Sequence, residues 1–155
     1  AKIFSEEFIF SIIGQVDNSV DLEGCEYIRV IKNVQNRDNF MNEISKLDFI
    51  LMPYSKDKYN LYFSGTALDA LDSNIPIIAF KNKFTEYFFN ICGDIGYCVD
   101  TKEEAINVIQ NLKSDFSNAK YCDFKLNLLE AKQNFTTLNN SEILFNQDAN
   151  FFKWR

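Results

Sequence analysis

An α/β fold, with a mainly parallel sheet of about five or six strands and helices on both faces, is the architecture this sequence predicts, and three observations predict it. Four short apolar runs recur: FIFSIIG (8–14), EYIRVI (26–31), DFILMP (48–53) and IPIIAF (75–80). They are nearly continuous rather than alternating, as strands covered on both faces are. Segments with helical spacing lie between them, the alternation of a parallel sheet with crossover helices. Finally, 155 residues that are 46% hydrophobic and 15% aromatic can close a real core.

Each element has its own signal. The opening AKIFSEEF reads as the last turn of a helix entering the first strand, so an earlier strand–helix unit is expected upstream, missing or carried by a preceding segment. Phe40, Ile44 and Leu47 share one helical face before the third run. Ala67, Leu68, Ala70 and Leu71 line another before the fourth. Phe84, Tyr87, Phe88 and Phe89 form an aromatic cluster assigned mainly to the core. GYCVD (96–100) is the fifth strand. Thr101, with Glu104 three residues on, reads as a capping box opening a helix striped by Ala105, Ile106, Ile109 and Leu112. A helix near 119–134, a polar break at 136–141 and a segment ending in FFKWR complete the chain. There is no repeat, low-complexity tract or Pro/Gly linker, so the expectation is one Rossmann-like domain over 1–155, with a helical tail over 119–155.

Composition narrows the function. A net charge of −6 supplies no basic footprint, so nucleic acid and anionic membrane surfaces are poor partners, and any bound anion must be held locally. The chain has no His, which removes Ser-His-Asp catalysis and Cys-His zinc sites. Cys25, Cys92, Cys98 and Cys122 show no Cys-x-x-Cys spacing and read as free thiols, which points to a reducing, cytoplasmic setting. No Asp-x-Asp is present to chelate a metal, and no signal peptide or membrane-length apolar run appears. Neither cofactor nor metal is expected.

The stretch SGTALD (64–69) carries the most specific chemistry. In a parallel sheet, ligands bind beyond the carboxyl ends of strands, where loops lead into helices. The third run ends at Pro53, and the loop after it delivers the chain to Ser64, a good helix cap. Gly65 has no side chain, so a ligand can approach the N–H groups of Gly65, Thr66 and Ala67, aided by the helix dipole. Asp69 lies four residues after Gly65, about 6 Å along the axis and on the same face. A carboxylate there suits the paired hydroxyls of a ribose above a diphosphate. The same residues also fit a plain helix start, with Ser64 as cap, Gly65 as turn and Asp69 as a solvated acid.

The run SGTALDALDSNIPIIAF, preceded by DFILMPYS and followed by GYCVD and a Glu-rich helix, resembles the carboxyl-terminal, donor-binding domain of GT-B glycosyltransferases over roughly residues 8–112. The resemblance implies binding of a nucleotide-diphosphate sugar, such as a UDP- or GDP-sugar, for glycosyl transfer without a metal. It implies that Ser64, Gly65 and Thr66 hold the donor diphosphate and that Asp69 binds ribose. It sets Gly14, Gln15, Ile31, Lys32, Tyr54 and Ser55 around the nucleotide pocket. The acceptor site of such an enzyme belongs to an N-terminal domain of the same protein, so this chain alone is expected to bind without turnover, and membrane association would come through that other domain, at the inner face. Bacterial polysaccharide assembly is the setting the family suggests. The pattern departs at three points: no acid stands near Leu61 or Tyr62, Asp69 replaces a glutamate, and Asn74 replaces the usual Gly before the fourth strand. Catalytic residues stay unassigned. The rival from another class is a non-catalytic α/β interaction domain with a degraded pocket, meeting a protein partner through Phe-rich surfaces that include Phe151, Phe152 and Trp154.

Overall fold

The structure is a computed structural model that describes residues 8–14, 26–32, 36–54, 64–112 and 118–137, with backbone alone at 118, 136 and 137. Among the described residues it is α/β, with β1 (Phe10–Ile13), β2 (Ile28–Ile31), α1 (Arg37–Ile44), β3 (Ile50–Met52), α2 (Gly65–Ser73), β4 (Ile77–Phe80), α3 (Lys83–Cys92), β5 (Gly96–Val99), α4 (Lys102–Asn111) and α5 (Asn118–Thr137). The chain divides into two compact units, Ala1–Asp48 and Phe49–Arg155. The AKIFSEEF turn up to residue 7 and the FFKWR end lie outside the described residues.

In the first unit β1 and β2 pair in parallel from Phe10↔Ile28 to Ile13↔Ile31. Helix α1 lies against β1 and starts where the Asn36 side chain accepts the Asn39 N–H at 2.8 Å. It turns Ile44 inward and leaves Phe40 half-buried. The predicted third member, Leu47, follows the helix end. Lys46 reaches Glu43 at 2.6 Å, and that hydrogen bond holds the Glu43 carboxyl below its ordinary range.

In the second unit β3, β4 and β5 form a parallel sheet in chain order. Ile77, Ile78 and Ala79 of the central strand are buried with Ile50 and Met52. The four apolar runs and the GYCVD segment thus become strands as predicted, but as a pair and a triplet, where the sequence predicts one sheet of about five or six. Continuous apolarity locates strands, and helical crossovers make them parallel. Neither says which edges exchange hydrogen bonds. Gly96 opens β5 at φ +149°, and a Cβ there would collide with the Ile77 backbone, so only glycine lets the two strands approach this closely.

The helices refine the sequence reading. Asn74 ends α2 in the left-handed conformation (φ 55°), the role expected of it in place of Gly. Ala67, Ala70 and Leu71 are buried as predicted, whereas Leu68 faces solvent and Asp69 takes an inward position. The aromatic cluster is a helix, α3, in which Phe84 and Phe88 are buried and stacked at 5.7 Å. Its capping box passes unnoticed in the sequence because it is built from Asn82 and Thr85 rather than Ser/Thr and Glu: Thr85 N–H donates to Asn82 Oδ1 at 2.9 Å, and Asn82 N–H to Thr85 Oγ1 at 2.8 Å. At α4, Thr101 does accept the Glu104 N–H at 3.1 Å. The Glu104 carboxylate, however, accepts from the Asp100 N–H at 2.7 Å rather than closing a box on Thr101. Ala105 and Ile109 are buried, while Ile106 and Leu112 are half-buried. Helix α5 runs to Thr137, into the expected polar break. It packs on α2 and α3 through Phe124, Leu128 and Ala131, and Lys132 pins it to Asp72 at 2.7 Å.

Candidate functional site at the tip of helix α2

The carboxyl edge of the three-stranded sheet gathers Tyr54 after β3, Lys81 and Asn82 after β4, and Asp100 and Thr101 after β5. Helices α2, α3 and α4 begin from this edge. Their starts differ in one respect. Asn82 and Thr101 each accept an N–H with their side chains, so α3 and α4 close their first turns internally. Ser64 is extended, as a cap residue is, but its side chain makes no cap hydrogen bond. Ser64 thus holds the cap position read from the sequence without making the cap bond.

Backbone geometry sets what remains at the α2 tip. The Ala67 N–H donates to Ser64 O at 3.1 Å, which removes one of the three donors expected to be free. The N–H groups of Gly65 and Thr66 take no partner among the described residues. Gly65 is exposed, and a Cβ built on it meets nothing within 4 Å among the described residues. Two N–H groups at a helix start, with the positive end of the helix dipole, are of the kind that suits an anion.

Hydroxyls stand beside these amides. Tyr54 Oη and Thr66 Oγ1 are 3.0 Å apart across twelve residues, joining the end of β3 to the first turn of α2. The structure therefore brings together Tyr54, Ser64, Gly65 and Thr66. Asp69, on the same helix, is 7% exposed and lies on the inner side with Ala67, Ala70 and Leu71. It is not the solvated acid of a plain helix start, nor is it without an interaction partner.

Three more predicted positions meet in the first unit. Gly14, at φ +125°, donates its N–H to Ile31 O at 3.1 Å, and Lys32 follows Ile31 as an exposed residue. The carboxyl ends of β1 and β2 thus carry Gly14, Ile31 and Lys32 side by side. Gln15 and Ser55 lie outside the described residues.

Sequence reasoning missed two features of the sheet edge. One is the Tyr54–Thr66 hydroxyl pair, which depends on where a loop returns and leaves no local signal. The other is Lys81, whose ammonium lies 3.7 Å from Glu86 and 3.8 Å from Asp100. The parallel register Phe80↔Val99 sets residues 81 and 100 side by side, so pairing those two strands on paper would have exposed it. A hollow of about 420 Å³ lies elsewhere in this unit, walled by Tyr97, Val99, Asn107, Val108, Asn111 and Lys120 among others, and includes none of the predicted site residues. Among the described residues no cluster of His, Cys, Asp and Glu could hold a metal ion, and no helix is long and apolar enough to cross a membrane. In comparisons with known proteins, no family model and no curated protein matches the chain.

Proposed function

We propose that this chain binds a nucleotide-diphosphate sugar and is the donor-binding part of a glycosyltransferase of the GT-B type, acting with an acceptor-binding domain of the same protein. The observation that carries the reading is the α2 tip: open at Gly65, left uncapped by Ser64, and set at the carboxyl edge of a parallel sheet. In this reading the Gly65 and Thr66 N–H groups bind the diphosphate, and the Thr66 and Tyr54 hydroxyls add donors beside it. Asp69 accepts from the ribose hydroxyls as a carboxylate already held out of water, where such hydrogen bonds are strong.

The transfer reaction fits the donor set. A departing nucleoside diphosphate gains negative charge, and preorganised amides at a helix end stabilise that charge without a metal. In this reading the base that activates the acceptor belongs to the acceptor domain, as the resemblance implies. This chain supplies binding and leaving-group stabilisation.

Calorimetric titration with UDP, GDP and ADP tests the reading. One of the three is expected to bind with a dissociation constant below about 1 mM, the scale of roughly −4 kcal/mol for an isolated half-site. Asp69→Asn, which keeps the side-chain volume, is expected to remove most of that affinity. Absence of binding to all three nucleotides would favour the interaction-domain reading, and unchanged affinity in Asp69→Asn would remove Asp69 from the site.

A further inference from the structure

Helix α5 is apolar on two sides. Its inner side, with Phe124, Leu128 and Ala131 buried, is accounted for by α2 and α3. On the opposite side Leu126 is 62% exposed and Leu129 43%, and the exposed Cys122 extends the same stripe. The intervals from 122 to 126 and from 126 to 129 are four and three, the spacing of a helix–helix seam. A helix whose only neighbours lay on the inner side would carry polar residues along this stripe.

The flanking charges select the occupant. Lys125 borders the stripe on one side, while Asp123 and Glu130 border it on the other. When two copies of such a helix run antiparallel, like flanks meet, so the acidic border of one faces the acidic border of the other. When they run parallel, a residue before the first core position faces the residue five places on in the partner helix. Five places after Lys125 is Glu130. Lys125 is half-buried with its ammonium 5.3 Å from the Tyr121 ring of its own helix, and Glu130 is exposed.

We infer that the outer face of α5 is the contact of a two-fold dimer of this chain. The helices run parallel, with Leu126 and Leu129 of both copies at the centre and Lys125 of each copy paired with Glu130 of the other. Self-complementarity is what a two-fold contact demands, and the charge pattern along this stripe has it. Cys122 of the two copies then meet across the axis.

Sedimentation of the full 155-residue chain from micromolar to millimolar concentration tests the dimer, which is expected to form as concentration rises. Leu126→Asp is expected to weaken it by at least about tenfold, as a charge buried in an apolar contact does. Lys125→Glu is expected to weaken it as well, and the double change Lys125→Glu/Glu130→Lys to restore it. In a Cys25→Ser/Cys98→Ser background a bismaleimide is expected to join two chains through Cys122. A monomer across the whole range, a dimer indifferent to Leu126→Asp, or a charge swap that fails to restore association would each overturn the proposal. Should Leu126→Asp lose its helical circular dichroism, the charge swap and the cross-link decide the matter.

Discussion

Gly65 and Cys92 show how single atoms set behaviour at the residue scale. Among the described residues nothing lies within 4 Å of a Cβ at position 65, and the position begins a helix. Gly65→Ala is therefore expected to raise stability by roughly 0.4–1 kcal/mol, because it restricts the unfolded chain without straining the folded one. Thermal melting checks this, and a lowered midpoint would show that the tip is not open. The larger Gly65→Val is expected to fold as well but to weaken nucleotide binding, since its methyl groups fill the space a phosphate needs. Cys92 responds to pH instead. Burial pushes its thiol from the ordinary 9.0 up to about 12. The unfolded chain loses this proton from about pH 9, the folded chain only near 12, so unfolding releases a proton between those values. Its effect is nil below pH 9, and stability falls as pH rises through that window. Denaturant midpoints measured from pH 8 to 11 should decline for the native chain more than for Cys92→Ala, and parallel declines would refute the assignment.

At the scale of elements, the strands were the most legible part of this sequence. Each apolar run became a strand within a residue or two, although only β4 is buried nearly throughout and β1 and β2 are half-buried or exposed. Helix starts were harder to read. The Thr101 cap was found, yet its Glu104 partner turned to the Asp100 N–H, and the Asn82–Thr85 box was overlooked. Both errors arise because several side chains compete for the same few orphan donors, and geometry rather than sequence decides among them. The site shows the same divide. Position 65 announced itself as a glycine before a helical stripe, but the hydroxyl contact from Tyr54 to Thr66 depends on a loop path with no local code. Element junctions also carry a stability prediction. Asn82→Ala removes an acceptor buried at 3% exposure and is expected to cost about 1–2 kcal/mol in urea unfolding, with Asn82→Asp milder. Gly96→Ala forces β5 away from Ile77 and is expected to cost roughly 1–3 kcal/mol or more. A neutral Gly96→Ala would contradict the close approach of these strands.

For the whole molecule, the proposed function asks an acidic chain to bind an anion. A net charge of −6 repels phosphates at long range, so affinity must come from a few oriented dipoles at short range. Binding should therefore change little with salt, unlike recognition by a lysine-rich cleft. Among the described helix starts with an assigned cap, only α2 has a cap residue whose side chain makes no cap bond. Amide chemical shifts read this tip directly. Titration of the isotopically labelled chain with the best-bound nucleoside diphosphate is predicted to move the Gly65 and Thr66 N–H resonances downfield ahead of all others, while those of Thr85 and Glu104, already bonded to caps, stay in place. Saturable shifts confined to other elements, with the Gly65 and Thr66 amides unmoved, would contradict the account.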